Sequence, residues 1–221
     1  PGAVGALLDF ADAHPAVGIA GSRLEDPDGT QQHSRYRFPT IRGEFESAIQ
    51  LGLVSLLLAA ARIAPPLTAE RQRCDWVAGA SLLIRREVIE AIGLLDEGYF
   101  LYYEEVDWCL RAARAGFECW YVPESRVVHL VGQSTGVTNA EARARRRPRY
   151  WFESRRRYFE KNHGRLYCAL ADLAWISGFA LWRVRRRLQR KPDRDPPHLL
   201  GDFVRHALSF TSRPRAGAST S

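Results

Sequence analysis

The residues best suited to chemistry stand together in Tyr102-Tyr103-Glu104-Glu105-Val106-Asp107-Trp108-Cys109-Leu110-Arg111. Three carboxylates crowd the first turn of a predicted helix. The positive end of the helix dipole favours their ionised forms there, and so their use as hydrogen-bond acceptors or bases. Spacing separates them. Asp107 lies four residues before Arg111 and Glu104 seven before it, on one face, so both are placed to pair with the guanidinium. Glu105 sits about 100° round the helix from Glu104 and has no basic residue three or four positions on. It is the free carboxylate, able to take a proton from a hydroxyl. The plainer alternative is that all three do no more than cap the helix.

The elements that must position this run read as alternating helices and strands. Residues 3–13 form a helix with Val4, Leu7, Leu8 and Phe10 on its apolar side, Val17–Ala20 a buried strand, and Asp26-Pro27-Asp28-Gly29 a turn. Residues 44–64 form one apolar helical run ended by Pro65-Pro66. Its apolar stretch, Ala48 to Ala61, is too short to span a bilayer, and the run belongs either to the core or to a membrane surface. Trp76–Ile84 is a small-residue turn feeding a buried strand, and Arg85–Ile92 a helix stopped by Gly93. After an aromatic connection, Glu104–Ala115 is a helix with Val106, Cys109, Leu110 and Ala113 inward. Residues 117–122 and 126–130 are short strands separated by Pro123. The pattern predicts an α/β sandwich.

At 221 residues and 46% hydrophobic, the chain can bury a core but is short for two full domains. It has no Met and opens on Pro1-Gly2, which predicts a cut or processed N-terminus, with no secretory peptide in this part. The net charge of +7 is unevenly spread. Residues 1–130 hold 12 basic and 18 acidic side chains; residues 131–221 hold 20 and 7. Such a basic segment favours anionic partners. Cys74, Cys109, Cys119 and Cys168 have neither zinc nor redox spacing and read as reduced, buried thiols of a cytosolic protein.

From Trp76 to Gly136 the chain resembles the family-2 inverting glycosyltransferases, especially the rhamnosyltransferase-like members that build bacterial cell-surface polysaccharides. Its landmarks run in order: Trp76, Gly79-Ala80, Arg85-Arg86, Gly93, and Leu95-Asp96-Glu97. Tyr99-Phe100, Tyr103-Glu104-Glu105-Val106-Asp107, Cys109-Leu110-Arg111 and Gly116 come next, then Pro123, His129, Gly132 and Ser134. The resemblance extends more weakly back over Val17–Gly29 and fades after about residue 165.

It implies a partial GT-A-type, Rossmann-like α/β domain lacking its N-terminal nucleotide-binding half and followed by C-terminal helices. Glu105 aligns with the family's general base, with Glu in place of the commoner Asp. Trp76, Asp96, Glu104 and Asp107 become the acceptor-binding set, and Gly79 and Arg111 structural residues. His129 matches a position that helps hold a divalent cation, Mg2+ or Mn2+, whose other ligands lie outside this chain. Each has a plainer alternative: a core aromatic for Trp76, a turn residue for Asp96, a strand-ending histidine bonded to backbone for His129. The implied activity moves a sugar, with inversion, from a nucleotide-sugar donor to a saccharide or lipid-linked acceptor.

The resemblance leaves the C-terminal part uncovered. An acceptor-side part over residues 1–140 gives way to a basic helical segment, 141–195, and a flexible tail, 196–221. Arg143, Arg145, Arg146, Arg147, Arg149, Arg155, Arg156 and Arg157 alternate with Tyr150, Trp151, Phe152, Tyr158 and Phe159. Leu166–Trp182 follows with Asp172 inside it, then Arg183, Arg185, Arg186, Arg187, Arg190 and Lys191. This predicts a helix in the membrane interface, its arginines on anionic headgroups and Trp175, Phe179 and Trp182 dipping in. The protein is then cytoplasmic and peripheral to the inner face of the plasma membrane. Two other readings stay open: a nucleic-acid-binding segment stacking bases on its aromatics, with no support in residues 1–130, and a non-catalytic scaffold in a polysaccharide-assembly complex.

Overall fold

The computed structural model describes residues 2–130 and 145–209. Pro1, Arg143, Gly132 and Ser134, named above, lie outside them. Helix α1 (Ala3–Ala13) leads into strand β1 (Val17–Glu25), which is buried along nearly its whole length. Strand β1 is central because it is covered on both edges. It pairs parallel with β6 (Glu118–Val128) on one side and antiparallel with β5 (Leu82–Ile84) on the other, and β3 (Gln72–Cys74) adds to the far edge of β6. A near-continuous apolar run is what a strand buried on both faces requires. Gly21 lies so close beneath β4 (Trp76–Val77) that a Cβ there would meet the Val77 side chain at 2.5 Å. Strand β4 pairs with β2 (Arg35–Tyr36) in a second, two-stranded sheet.

Glu118–Val128 form one strand where two are predicted. Its register against β1 slips between Ser22 opposite Val122 and Arg23 opposite Arg126, so Pro123 falls in a bulge, where its missing N–H costs no ladder bond. The predicted run 44–64 is likewise not one helix. It breaks into α2 (Ile41–Ile49), α3 (Gly52–Leu57) and a single 3-10 turn, because Gln50 adopts a left-handed conformation (φ 49°) and Leu51 is extended. Helix α2 belongs to the core, whereas α3 buries none of its residues.

Helix α4 (Arg86–Ile92) ends at Gly93, whose φ is +75°. Helix α5 (Glu104–Arg114) buries Val106, Trp108, Cys109 and Leu110; its inward alanine is Ala112, with Ala113 outside. Cys109, Cys119 and Cys168 are buried thiols and Cys74 is half-buried; none is in a disulfide.

The C-terminal helices α6 (Arg149–His163), α7 (Arg165–Leu188) and α8 (Leu199–Leu208) pack against α2 and α5. Phe152, Trp175, Phe179, Phe203 and Ala48 form one apolar cluster. Gly178 lets α7 approach α2 closely: a Cβ there would meet Phe45 O at 2.9 Å. This packing overturns two expectations. Trp175 and Phe179, 9% and 3% exposed, face the interior and cannot dip into a membrane, while Trp182 donates its indole N–H to Asp195. Residues 199–208 of the predicted flexible tail form a docked helix with Phe203 buried. Among the described residues no helix is long and apolar enough to cross a membrane.

Candidate active site

Glu105 enters a groove of about 190 Å³ lined by Pro39, Ile63, Trp76, Tyr102, Tyr103, Val106 and Trp151. It is the only carboxylate among the lining residues. The start of α5 is set by two successive tyrosines in the left-handed region, Tyr102 at φ 69° and Tyr103 at φ 68°. Non-glycine residues held there cost roughly 1–2 kcal/mol each and persist only where packing over-determines them. Here α6 supplies that packing, Tyr150 stacking on Tyr102 and Tyr158 lying against Tyr103.

The Gly79 turn lies against Glu105, and its backbone favours the ionised carboxylate. A Cβ on Gly79 would sit 3.8 Å from Glu105 Oε1. The other oxygen, Oε2, is buried with no hydrogen-bond partner in the protein, as is Oε2 of Glu104 beside it. Burial and the Glu104 charge together raise Glu105 to about 7, against the pull of the backbone N–H groups. Trp76 forms one wall. Its ring stacks on Tyr36 at 4.1 Å and its indole N–H donates to Arg37 O, so it is both a half-buried aromatic and a groove residue.

The other carboxylates are placed differently from expectation. Asp107 pairs with Arg111 at 3.1 Å as the spacing predicts, but it is fully buried and also accepts from Lys161, Asn162 and the Tyr99 hydroxyl. It ties α5 to α6 and has no path to an acceptor. Glu104 does not pair with Arg111, whose remaining donors go to Ile92 O and Leu94 O. Its part is to raise Glu105. Asp96 accepts from Gly98 N as a turn residue and is gripped by Arg157 and Lys161, which hold it well below the usual carboxylate range against the opposing effect of burial. The groove lining includes neither Asp96 nor Asp107.

His129 follows β6 and its backbone N–H donates to Glu25 O, the strand-ending arrangement, while Nδ1 contacts Gln32 Oε1 at 3.0 Å. Among the described residues no three His, Cys, Asp or Glu side chains gather where they could hold a metal ion.

Trp151 carries no local signal that would have placed it. It reaches the groove from α6, and only the docking of that helix brings it opposite Glu105. The same docking explains the arginine–aromatic alternation. Phe152, Tyr158 and Phe159 are buried, Arg146 pairs with Asp202, Arg157 with Asp96, and Arg155 lies inside between Glu44 and Asp172. The interleaving is an internal packing pattern, and those aromatics are not available to stack bases.

Residues 29–156, more than half of the chain, match the family described as "Glycosyltransferase like family 2". The N-acetylglucosaminyl-diphospho-decaprenol L-rhamnosyltransferase of Mycobacterium tuberculosis is 35% identical over 144 residues, 62% of this chain and 45% of that protein. Rhamnosyltransferase WbbL of Escherichia coli is 40% identical over 55 residues, 25% of this chain and 21% of its own. The dTDP-rhamnosyl transferase RfbF of Shigella flexneri is 32% identical over 53 residues, covering 24% and 18%. The chain thus spans less than half the length of the curated relatives it matches. The ordered landmarks around Glu105, the α/β sheet that carries them and the match over residues 29–156 agree, and the chain belongs to the family-2 glycosyltransferases, with rhamnosyltransferases among its relatives.

Proposed function

We propose that the chain is the acceptor-side and catalytic part of an inverting glycosyltransferase, with Glu105 as general base, acting in bacterial cell-surface polysaccharide synthesis. The observation that carries this is a carboxylate with an unpartnered oxygen, the one carboxylate lining a largely aromatic groove, raised to about 7. A general base works best when its pKa lies near the operating pH. Glu105 accepts the proton of an acceptor hydroxyl, whose oxygen then attacks the anomeric carbon in line as the nucleoside diphosphate departs. One displacement inverts the centre. Trp76, Tyr102 and Trp151 offer ring faces on which a sugar can lie, and the Gly79 backbone favours the ionised carboxylate. Two relatives, a diphospho-decaprenol rhamnosyltransferase and a dTDP-rhamnosyl transferase, support a nucleotide-sugar donor and a lipid-linked acceptor here. A divalent cation belongs to this reading only as a group held by residues other than the described ones, to which His129 could add a single ligand.

The test is Glu105→Gln in the protein with its natural flanking sequence, assayed with dTDP-rhamnose and a polyprenyl-diphosphate sugar. Transfer should fall roughly 10²–10⁴-fold while donor binding stays unchanged. Undiminished turnover would remove Glu105 from the role, and substrate binding without turnover in the unaltered protein would replace the enzyme by a scaffold.

A further inference from the structure

Helix α7 has two apolar faces, and the protein covers one. Cys168, Ala171, Trp175, Gly178 and Phe179 point inward. Leu166, Leu170, Leu173, Leu181, Val184 and Leu188 recur at helical steps along the other side and are all exposed, Leu166 by 76%, Leu173 by 62% and Leu188 by 80%. At about 100° per residue these six fall within a sector of roughly 80°, nearly opposite the buried face, along a helix about 36 Å long. Charge says what covers it. The helix carries five arginines and one acid, and that acid, Asp172, is buried beside Arg155. Arg165, Arg183 and Arg187 flank the stripe, with Arg190 and Lys191 just beyond its end. A seam between two copies needs opposite charges beside its apolar positions; two such stripes would set arginine against arginine. An anionic lipid surface meets both demands, taking the leucines among acyl chains and the arginines among headgroups.

We propose that this outer face of α7, opposite to the one carrying Trp175 and Phe179, is the surface by which the protein lies on an anionic membrane. Arg185 donates to Ile49 O at the end of α2, and the short α3 that follows exposes Leu53, Leu56 and Leu57. The inference deepens the proposed function by naming the surface that would meet a lipid-linked acceptor. Vesicle binding is read without turnover, so the two proposals fail separately.

The experiment is co-sedimentation of the full chain with vesicles of phosphatidylcholine alone or mixed equally with phosphatidylglycerol. The mixed vesicles should retain about tenfold more protein. Leu173→Gln with Leu181→Gln should cut that binding about tenfold and leave circular dichroism and thermal midpoint unchanged, because both side chains face solvent. Equal binding to the two vesicle types, or full binding by the double variant, would overturn the proposal. Self-association without lipid that the same substitutions abolish would also overturn it, making the stripe a seam between copies.

Discussion

A carboxylate raised to about 7 is half protonated at neutral pH, and two named causes put Glu105 there: burial in the groove and the negative Glu104 beside it. The base must be ionised to work, so kcat/KM should rise as pH passes upward through about 7. Replacing Glu104 by Gln removes the second cause and lowers the Glu105 value, so the acid limb of the profile should move toward lower pH. A limb that stays in place in Glu104→Gln would mean burial alone sets the value. The isolation of Glu105 was readable from spacing, because pairing within a helix is a local property. The burial of Asp107 and the ion pairing of Asp96 were not. Their partners Lys161, Asn162 and Arg157 lie on a helix more than fifty residues away, and no local pattern announces that α6 docks there.

At the scale of elements, the helical layer is pinned by one buried ionic cluster. Arg155, itself buried, donates to Glu44 on α2 at 2.8 Å and to Asp172 on α7, while its own helix is α6. Burial pushes the Glu44 carboxyl up and Arg155 pulls it down; two carboxylates about one guanidinium keep the arginine charged. Arg155→Met would leave both acids buried without a counter-charge, a change that typically costs about 3–5 kcal/mol. Guanidinium unfolding should register that loss, and adding Glu44→Gln and Asp172→Asn should recover most of it. If Arg155→Met alone is neutral, the cluster does not hold the helices together. In sequence this arginine looked like any other in a basic run. Pro123 shows the reverse limit, since a strand-breaking residue was correctly seen but the bulge that absorbs it depends on the register against β1.

Over the whole molecule, the basic C-terminal part is joined to the acidic body by ion pairs of Arg157 and Lys161 with Asp96 and of Lys161 with Asp107, while Arg146 pairs with Asp202 of α8 within the C-terminal part itself. All three carboxyls are lowered from an ordinary value of 3.8, for Asp202 chiefly through its bond to Arg146 and for Asp96 and Asp107 through their bonded cations overcoming burial. A depressed carboxyl adds stability that is present above its unfolded pKa and lost as pH falls through the folded one. The loss should therefore begin only below about pH 4 and release the C-terminal helices first, seen as a change in tryptophan fluorescence from Trp151 and Trp175 before far-ultraviolet dichroism collapses. Coincident transitions would show that the layers unfold as one. By itself the sequence determined the α/β alternation, the ordered landmarks from Trp76 to His129 and the unpaired state of Glu105, because each is written in spacing along a short stretch. Only the tertiary structure decided which carboxylates are buried, that Trp151 completes the groove, and which side of α7 is covered. Periodicity reveals that a helix has an apolar face, but a helix with two such faces is resolved only by what packs against it.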